Sequence, residues 1–264
     1  SYGDAESLIG KSIKKLASEE NIIEKNWVIT TKVLPKGDFN FLKNNFKNSL
    51  KNLNREKINN LAIHGLNLKQ HLDWVLAGEG KKFISWILEK ELVDQVGFSS
   101  HGSYSLIKDA INCEVFSFCS LHLHYLDQSK ITLAEEAIKK GMGVLAISPA
   151  DKGGRLYSPS DILLEASKPF HPLELAYRFL LAKGITTLSL GDIIEKVGPN
   201  NVRGLDFDHV ISVIQHTDRP CDMVFRKGQE ESTLIPPPPP PTPITLIWAL
   251  DTSFSTNSIC ISRS

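Results

Sequence analysis

Neither sign of charge prevails in this chain: thirty Lys and Arg side chains are balanced by thirty Asp and Glu, a formal net charge of zero. A chain without a net field has no general attraction for nucleic acid or an anionic membrane, so a small neutral or mildly charged ligand is the expected partner. Cysteine is also scarce. Cys113, Cys119, Cys221 and Cys260 form no C-x-x-C pair and no closely spaced framework, which suits free thiols in a reducing, cytoplasmic compartment and speaks against a zinc or cluster scaffold. No apolar run approaches the roughly 20 residues of a membrane helix, and no basic-then-apolar leader opens the chain. No strand runs into a Gly-x-Gly-x-x-Gly turn, which counts against a dinucleotide-binding doubly wound sheet. The first residue is Ser1 rather than Met, so the chain is expected to start inside a longer polypeptide or to have been processed.

What is present is a strict alternation of strand and helix. The 264 residues, 41% of them hydrophobic, suffice for a sizeable core. An amphipathic helix through Ala5, Leu8, Ile9, Ile13 and Leu16 precedes a β-branched strand, Trp27–Val33. Pro35, Lys36, Gly37 and Asp38 form a turn and helix cap, and Phe39, Leu42, Phe46, Leu50 and Leu53 set a second amphipathic helix. Strands are expected at 58–65, 93–98, 115–125, 143–147 and 185–190, with helices around 83–88, 105–111, 131–140 and 173–181 and a polar loop over 150–160. Repeated about six times without hairpin signals, this pattern predicts an α/β fold with a parallel (β/α)8 barrel, incomplete and with two open edges. Residues 1–191 form the barrel portion. Residues 192–264 lose the alternation and read as an irregular tail: 236–241 are all proline, an expected stiff linker or docking site for a proline-binding module. The β-prone stretch 244–250 is expected to be a docked or an aggregation-prone strand, and the tail, an oligomer partner or nothing is expected to cover the two open edges.

A barrel of this kind carries its reactive groups at the carboxyl ends of its strands. Lys32 closes the first strand, where it sits at the barrel mouth, pairs with an acid or snorkels from an edge. His64 closes the second, and Tyr2 precedes the first helix. Phenol, amine and imidazole together suit carbonyl reduction. A phenol that ionises near ~10 is a poor acid at neutral pH, but a neighbouring ammonium stabilises its phenolate and eases proton transfer to a developing alkoxide. An imidazole can orient the carbonyl by a hydrogen bond.

Five stretches in order carry a resemblance: Ser1-Tyr2-Gly3-Asp4-Ala5, Ile29-Thr30-Thr31-Lys32, Leu61-Ala62-Ile63-His64, Val96-Gly97-Phe98-Ser99 and Ala146-Ile147-Ser148-Pro149. Together they resemble the landmarks of aldo-keto reductases, over Ser1 to about Gly191. The resemblance implies an oxidoreductase that uses NADPH (NADP) to reduce a small carbonyl substrate, aldehyde or ketone, to an alcohol. It implies Tyr2 as general acid, Lys32 as the lysine that lowers its pKa and His64 as the substrate-orienting histidine. It further implies Ser99 at the nicotinamide carboxamide, Ser100 beside it among the cofactor-binding residues, Ser148 where a loop begins to cover the cofactor, and Gly191 near a phosphate. The family's catalytic aspartate and first two strands would lie before Ser1. Ser100 stands where the family usually has Asn, and Ile147 where many members carry a stacking Tyr. These departures keep a second expectation in view, a non-catalytic reductase-like module that senses cofactor or binds a partner.

Two other patterns bear on ligands. Gly153-Gly154 between Lys152 and Arg155 is either a flexible polar loop or a phosphate cradle; Lys152, so soon after Ser148, is read as a pyrophosphate contact. His122 and His124 alternate on one strand face and with His64 could hold zinc or manganese. Such a pair inside a strand is more commonly packed than metal-bound, and no acid closes a strand end suitably, so no metal is expected.

Overall fold

The computed structural model describes residues 5–19, 27–151, 155–185, 187–189, 244–251 and 256–263. Its strands β1 (Trp27–Val33), β2 (Ile58–Ile63), β3 (Val93–Ser100), β4 (Phe118–His122), β5 (Gly143–Ile147) and β6 (Thr187–Ser189) lie side by side in chain order, every neighbouring pair parallel. Helices α1 (Ala5–Glu19), α2 (Phe39–Leu53), α3 (Lys69–Ala77), α4 (Glu79–Glu89), α5 (Tyr104–Asn112), α6 (Ile131–Lys139), α7 (Asp161–Ala166) and α8 (Pro172–Ala182) occur before and between these strands. This is the expected barrel-type alternation, with strands β1 and β5 at the predicted bounds.

The tail meets the two edges that these six strands leave. β7 (Ile244–Asp251) pairs parallel with β1, β8 (Thr256–Arg263) pairs antiparallel with both β6 and β7, and the sheet closes on itself. Only residues 252–255 join β7 to β8. A parallel crossover needs a dozen residues or more, so a connection this short forces an antiparallel pair. The division drawn at Gly191 lies outside the described residues.

Local chemistry explains where elements begin and end. Asp38 accepts the Phe41 N–H at 2.9 Å and caps α2, and Asn54, with φ 54°, ends it by donating its N–H to Leu50 and Lys51 carbonyls. Ser103 caps α5 and Ser160 caps α7 in the same way, while α8 starts on Pro172, whose missing N–H costs nothing in a first turn. Gly10 lets α1 sit directly on the end of α2: a Cβ there would lie 2.4 Å from the Asn52 carbonyl oxygen. Helix α3, rich in polar residues, and the short α7 were not predicted, because each buries too little apolar surface to leave a clear period. Leu8, expected on the buried face of α1, is 56% exposed.

The main core lies between sheet and helices. It joins Leu61, Ile63, Val96, Phe98, Cys119, Leu121, Val144 and Ala146 from the strands to Leu42, Phe46, Phe83, Ile87, Ile107 and Ala134 from the helices. Phe46 and Phe83 are both fully buried and meet edge to face at 6.0 Å. Glu6 on α1 accepts the Thr31 hydroxyl at 2.6 Å, which fixes Thr31 on this outer side. Since strand residues alternate sides, Thr30, Lys32, Asn60, Ala62, Gly97, Ser99, Phe118, Ser120 and His122 face the barrel interior. A second, small apolar cluster of Val28, Leu145 and Ile147 also lies there. Among the described residues no helix is long and apolar enough to cross a membrane.

Candidate active site

The interior is polar where the exterior is dry. At the amino end Asn60 donates to the Thr30 hydroxyl at 3.2 Å. One level up, Lys32 pairs in register with Ala62, and Ala62 with Gly97. Lys32 is 9% exposed, so it does not snorkel from an edge; it is an interior lysine between β7 and β2. Small neighbours make room for its long stem. Gly97 is required for a different reason, since a Cβ there would come within 2.5 Å of both the ring and the carbonyl oxygen of Phe118.

His64 continues the ladder beyond β2 by donating its N–H to the Val33 carbonyl at 2.7 Å. It follows Ala62, the register partner of Lys32, by two residues, at the carboxyl end of the β1–β2 pair. Ser99 is next across the sheet. Its hydroxyl oxygen accepts the Gly65 N–H at 3.1 Å, while its carbonyl accepts the Leu66 N–H at 2.8 Å. On the inner side of β5, Leu145 and Ile147 pack against Val28 of β1.

Ser100 does not share that side. Alternation turns it to the outer side, it is wholly buried, and its hydroxyl donates to the Leu66 carbonyl at 2.6 Å while accepting the Gly102 N–H at 3.0 Å. With Asn67 accepting the His101 N–H at 2.7 Å, it straps the loop after β2 to the end of β3. The Ser100 hydroxyl also lies 3.4 Å from Asn67 Oδ1, so its bonds are made with the loop after β2 and the turn after β3. Ser148 follows β5 with φ 54°, and its carbonyl accepts the Asp151 N–H at 3.1 Å, a tight turn at the rim. Tyr2, Lys152 and Gly191 lie outside the described residues.

Further along the same rim the structure gathers groups the sequence reading did not connect. Strand β4 stops at His122, earlier than the predicted 125, and the chain turns so that His124 and Asp127 face each other as an isolated antiparallel bridge. The His122 and His124 rings meet edge to face at 5.0 Å, and His101 lies 6.4 Å from His122. The Ser129 hydroxyl, and with it the Ser129 N–H that Asp127 accepts at 3.1 Å, holds the Asp127 carboxyl below the usual carboxylate range. His124 is 5% exposed and its Nε2 lies 3.6 Å from the Asp151 carboxylate. The Asp-Gln-Ser sequence was the available signal, since an Asp whose side chain accepts the N–H two residues on marks a tight turn.

No protein-family model and no curated protein matches the chain. Solved structures do. An aldo-keto reductase from a Medee basin deep-sea metagenome library superposes with a TM-score of 0.55 at 18% identity, covering 68% of this chain and 65% of that one. An aldo-keto reductase from Bacillus halodurans gives 0.52 at 19%, covering 68% and 65%, and the aldose reductase of Schistosoma japonicum gives 0.53 at 20%, covering 68% and 64%. The chain thus spans about 65% of the length of these structures. At such identities the likeness shows the fold: this chain has the barrel architecture of aldo-keto reductases, over part of its extent.

Proposed function

We infer that the protein reduces an aldehyde or ketone to the alcohol with a nicotinamide cofactor, NADPH rather than NADH. The observation that supports this reading is a reductase-type barrel whose β1 carries a buried lysine, Lys32, on its inner side, with His64 just past the end of the neighbouring β2. A serine hydroxyl, Ser99, and the apolar residues Leu145 and Ile147 on the inner side of the sheet are of the chemistry that a nicotinamide ring with its carboxamide needs. When bound, the cofactor supplies hydride to the carbonyl carbon.

The protein's own groups manage the proton and the geometry. Tyr2 gives its phenolic proton to the carbonyl oxygen as that oxygen becomes an alkoxide. Lys32 stabilises the resulting phenolate and so lowers the phenol's pKa. His64 holds the carbonyl by a hydrogen bond at the position where charge develops. With a cofactor bound, Ser99 would donate to its carboxamide oxygen, and Ser148, Lys152 and Gly191 are the further residues we assign to cofactor binding.

Absorbance of NADPH, followed with a reactive aldehyde such as a nitrobenzaldehyde, tests this. Slow oxidation is expected, lowered about 10²- to 10⁴-fold by Tyr2→Phe, the range assigned to a positioned proton donor. Turnover that survives intact in the Phe variant would overturn the role of Tyr2. NADPH binding without turnover in the parent protein would instead favour the cofactor-sensing module.

A further inference from the structure

We propose that His122, His124 and Asp127 form a binding site for one divalent transition-metal ion of the zinc and cobalt class, at the carboxyl rim of the barrel beside the proposed reductase centre.

Three observations carry this. One ligand atom from each of the three side chains lies within 4.8 Å of the other two. In a tetrahedral zinc site with bonds of 2.0–2.1 Å, ligand atoms sit about 3.3 Å apart, so modest side-chain rotation closes the gap. The backbone already makes the approach: the turn between His124 and Asp127 is pinned by the Asp127 N–H donating to the His124 carbonyl at 3.2 Å. Second, the Nδ1 of His124 is buried with no hydrogen-bond partner, on a side chain only 5% exposed. A buried unmatched ring nitrogen is costly unless something answers it, and a cation answers an imidazole lone pair. Third, an oriented carboxylate is at hand. Asp127 is tied through Oδ1 to the Ser129 N–H and is solvent-exposed, giving an ion a path of entry.

The donor set selects the ion. Two imidazoles and a carboxylate suit borderline metals such as Zn²⁺ and Co²⁺, whereas Mg²⁺ and Ca²⁺ prefer all-oxygen shells. Asp151, 3.6 Å from His124, stands as an outer-shell partner able to orient that ring. Three protein ligands leave a fourth position for water, the pattern of sites that do chemistry rather than of closed structural ones.

The test is binding, with no cofactor or substrate present, so it stands or falls separately from the reductase reading. Full-length protein without an affinity tag, stripped by chelator, is titrated with Co²⁺ and then Zn²⁺. Expected is one equivalent of Co²⁺ with the visible ligand-field bands of a four- or five-coordinate nitrogen and oxygen site, displaced by Zn²⁺. His122→Ala should weaken binding at least about 100-fold and Asp127→Asn at least about tenfold, given that loss of outer-shell supports alone costs ~10- to 100-fold. His124→Ala is less informative because the residue is buried; Asp127→Asn, exposed and isosteric, keeps the fold. Circular dichroism of each variant checks that it does. No saturable one-to-one binding, thiolate-to-cobalt charge-transfer bands, or affinity unchanged in both His122→Ala and Asp127→Asn would overturn the proposal.

Discussion

The two faces of strands β1 to β5 are made from the same short segments yet differ in almost every physical respect. On the outer face Leu61, Ile63, Val96, Phe98, Cys119 and Leu121 are each no more than 2% exposed and packed on helices. On the inner face the polar residues Thr30, Lys32, Asn60, Ser99, Ser120 and His122 collect, beside Phe118 and the small apolar cluster of Val28, Leu145 and Ile147. Stability therefore resides mainly on one side of the sheet and chemistry on the other. The division is possible because a strand presents successive residues to opposite sides, so each face can be composed independently.

Phe98→Ala is the strongest way to probe the outer side. Removing a fully buried ring that lies 4.9 Å from Phe116 should lower unfolding free energy by about 3–5 kcal/mol, read from urea denaturation. A loss under about 1 kcal/mol would mean that the outer face is not the seat of stability. Gly97→Ala probes the inner side. Its new methyl would meet Phe118 at 2.5 Å, and a cost of about 1–3 kcal/mol is expected; a neutral outcome would show an interior slack enough to shift the ring.

Cys119 sharpens the contrast with the smallest effect. Burial pushes its thiol up to about 12 from the ordinary 9.0. Between those values the unfolded chain releases a proton that the native state retains, so stability falls as pH rises through that window. The slope attributable to this thiol is at most about 1.4 kcal/mol per pH unit. In Cys119→Ala that part of the alkaline loss should vanish. An unchanged alkaline limb in chemical denaturation would show that the thiol is more accessible than its packing implies.

Much of the outer face was legible beforehand. The runs around Trp27, Ile58, Val93 and Gly143 announce strands because β-branched and apolar residues cluster between turn signals, and the helices of α2 and α4 declare themselves by their period. The rim residues Lys32, His64 and Ser99 were also readable, since each ends an apolar run with a polar group. Ser100 parts from Ser99 because a single-residue step turns a side chain to the other face, and no local pattern marks that step. Asp127 was missed as a neighbour of His122 and His124 because the strand was drawn three residues too long, which would have carried the acid away from the pair. The closing strands β7 and β8 could be suspected from the β-prone stretch at 244–250, but not their partners.

Periodicity and punctuation along the chain determined which segments are strands, which are helices, and that the strands line up in parallel. Those are local properties, set by where apolar side chains recur and where backbone turns are favoured. Which interior residues come together at the rim, how the sheet's last edges are matched, and that two histidines and an aspartate converge were decided only by tertiary structure. Register, strand termination and the path of a turn depend on pairings between residues far apart in sequence, and these are fixed by packing in space.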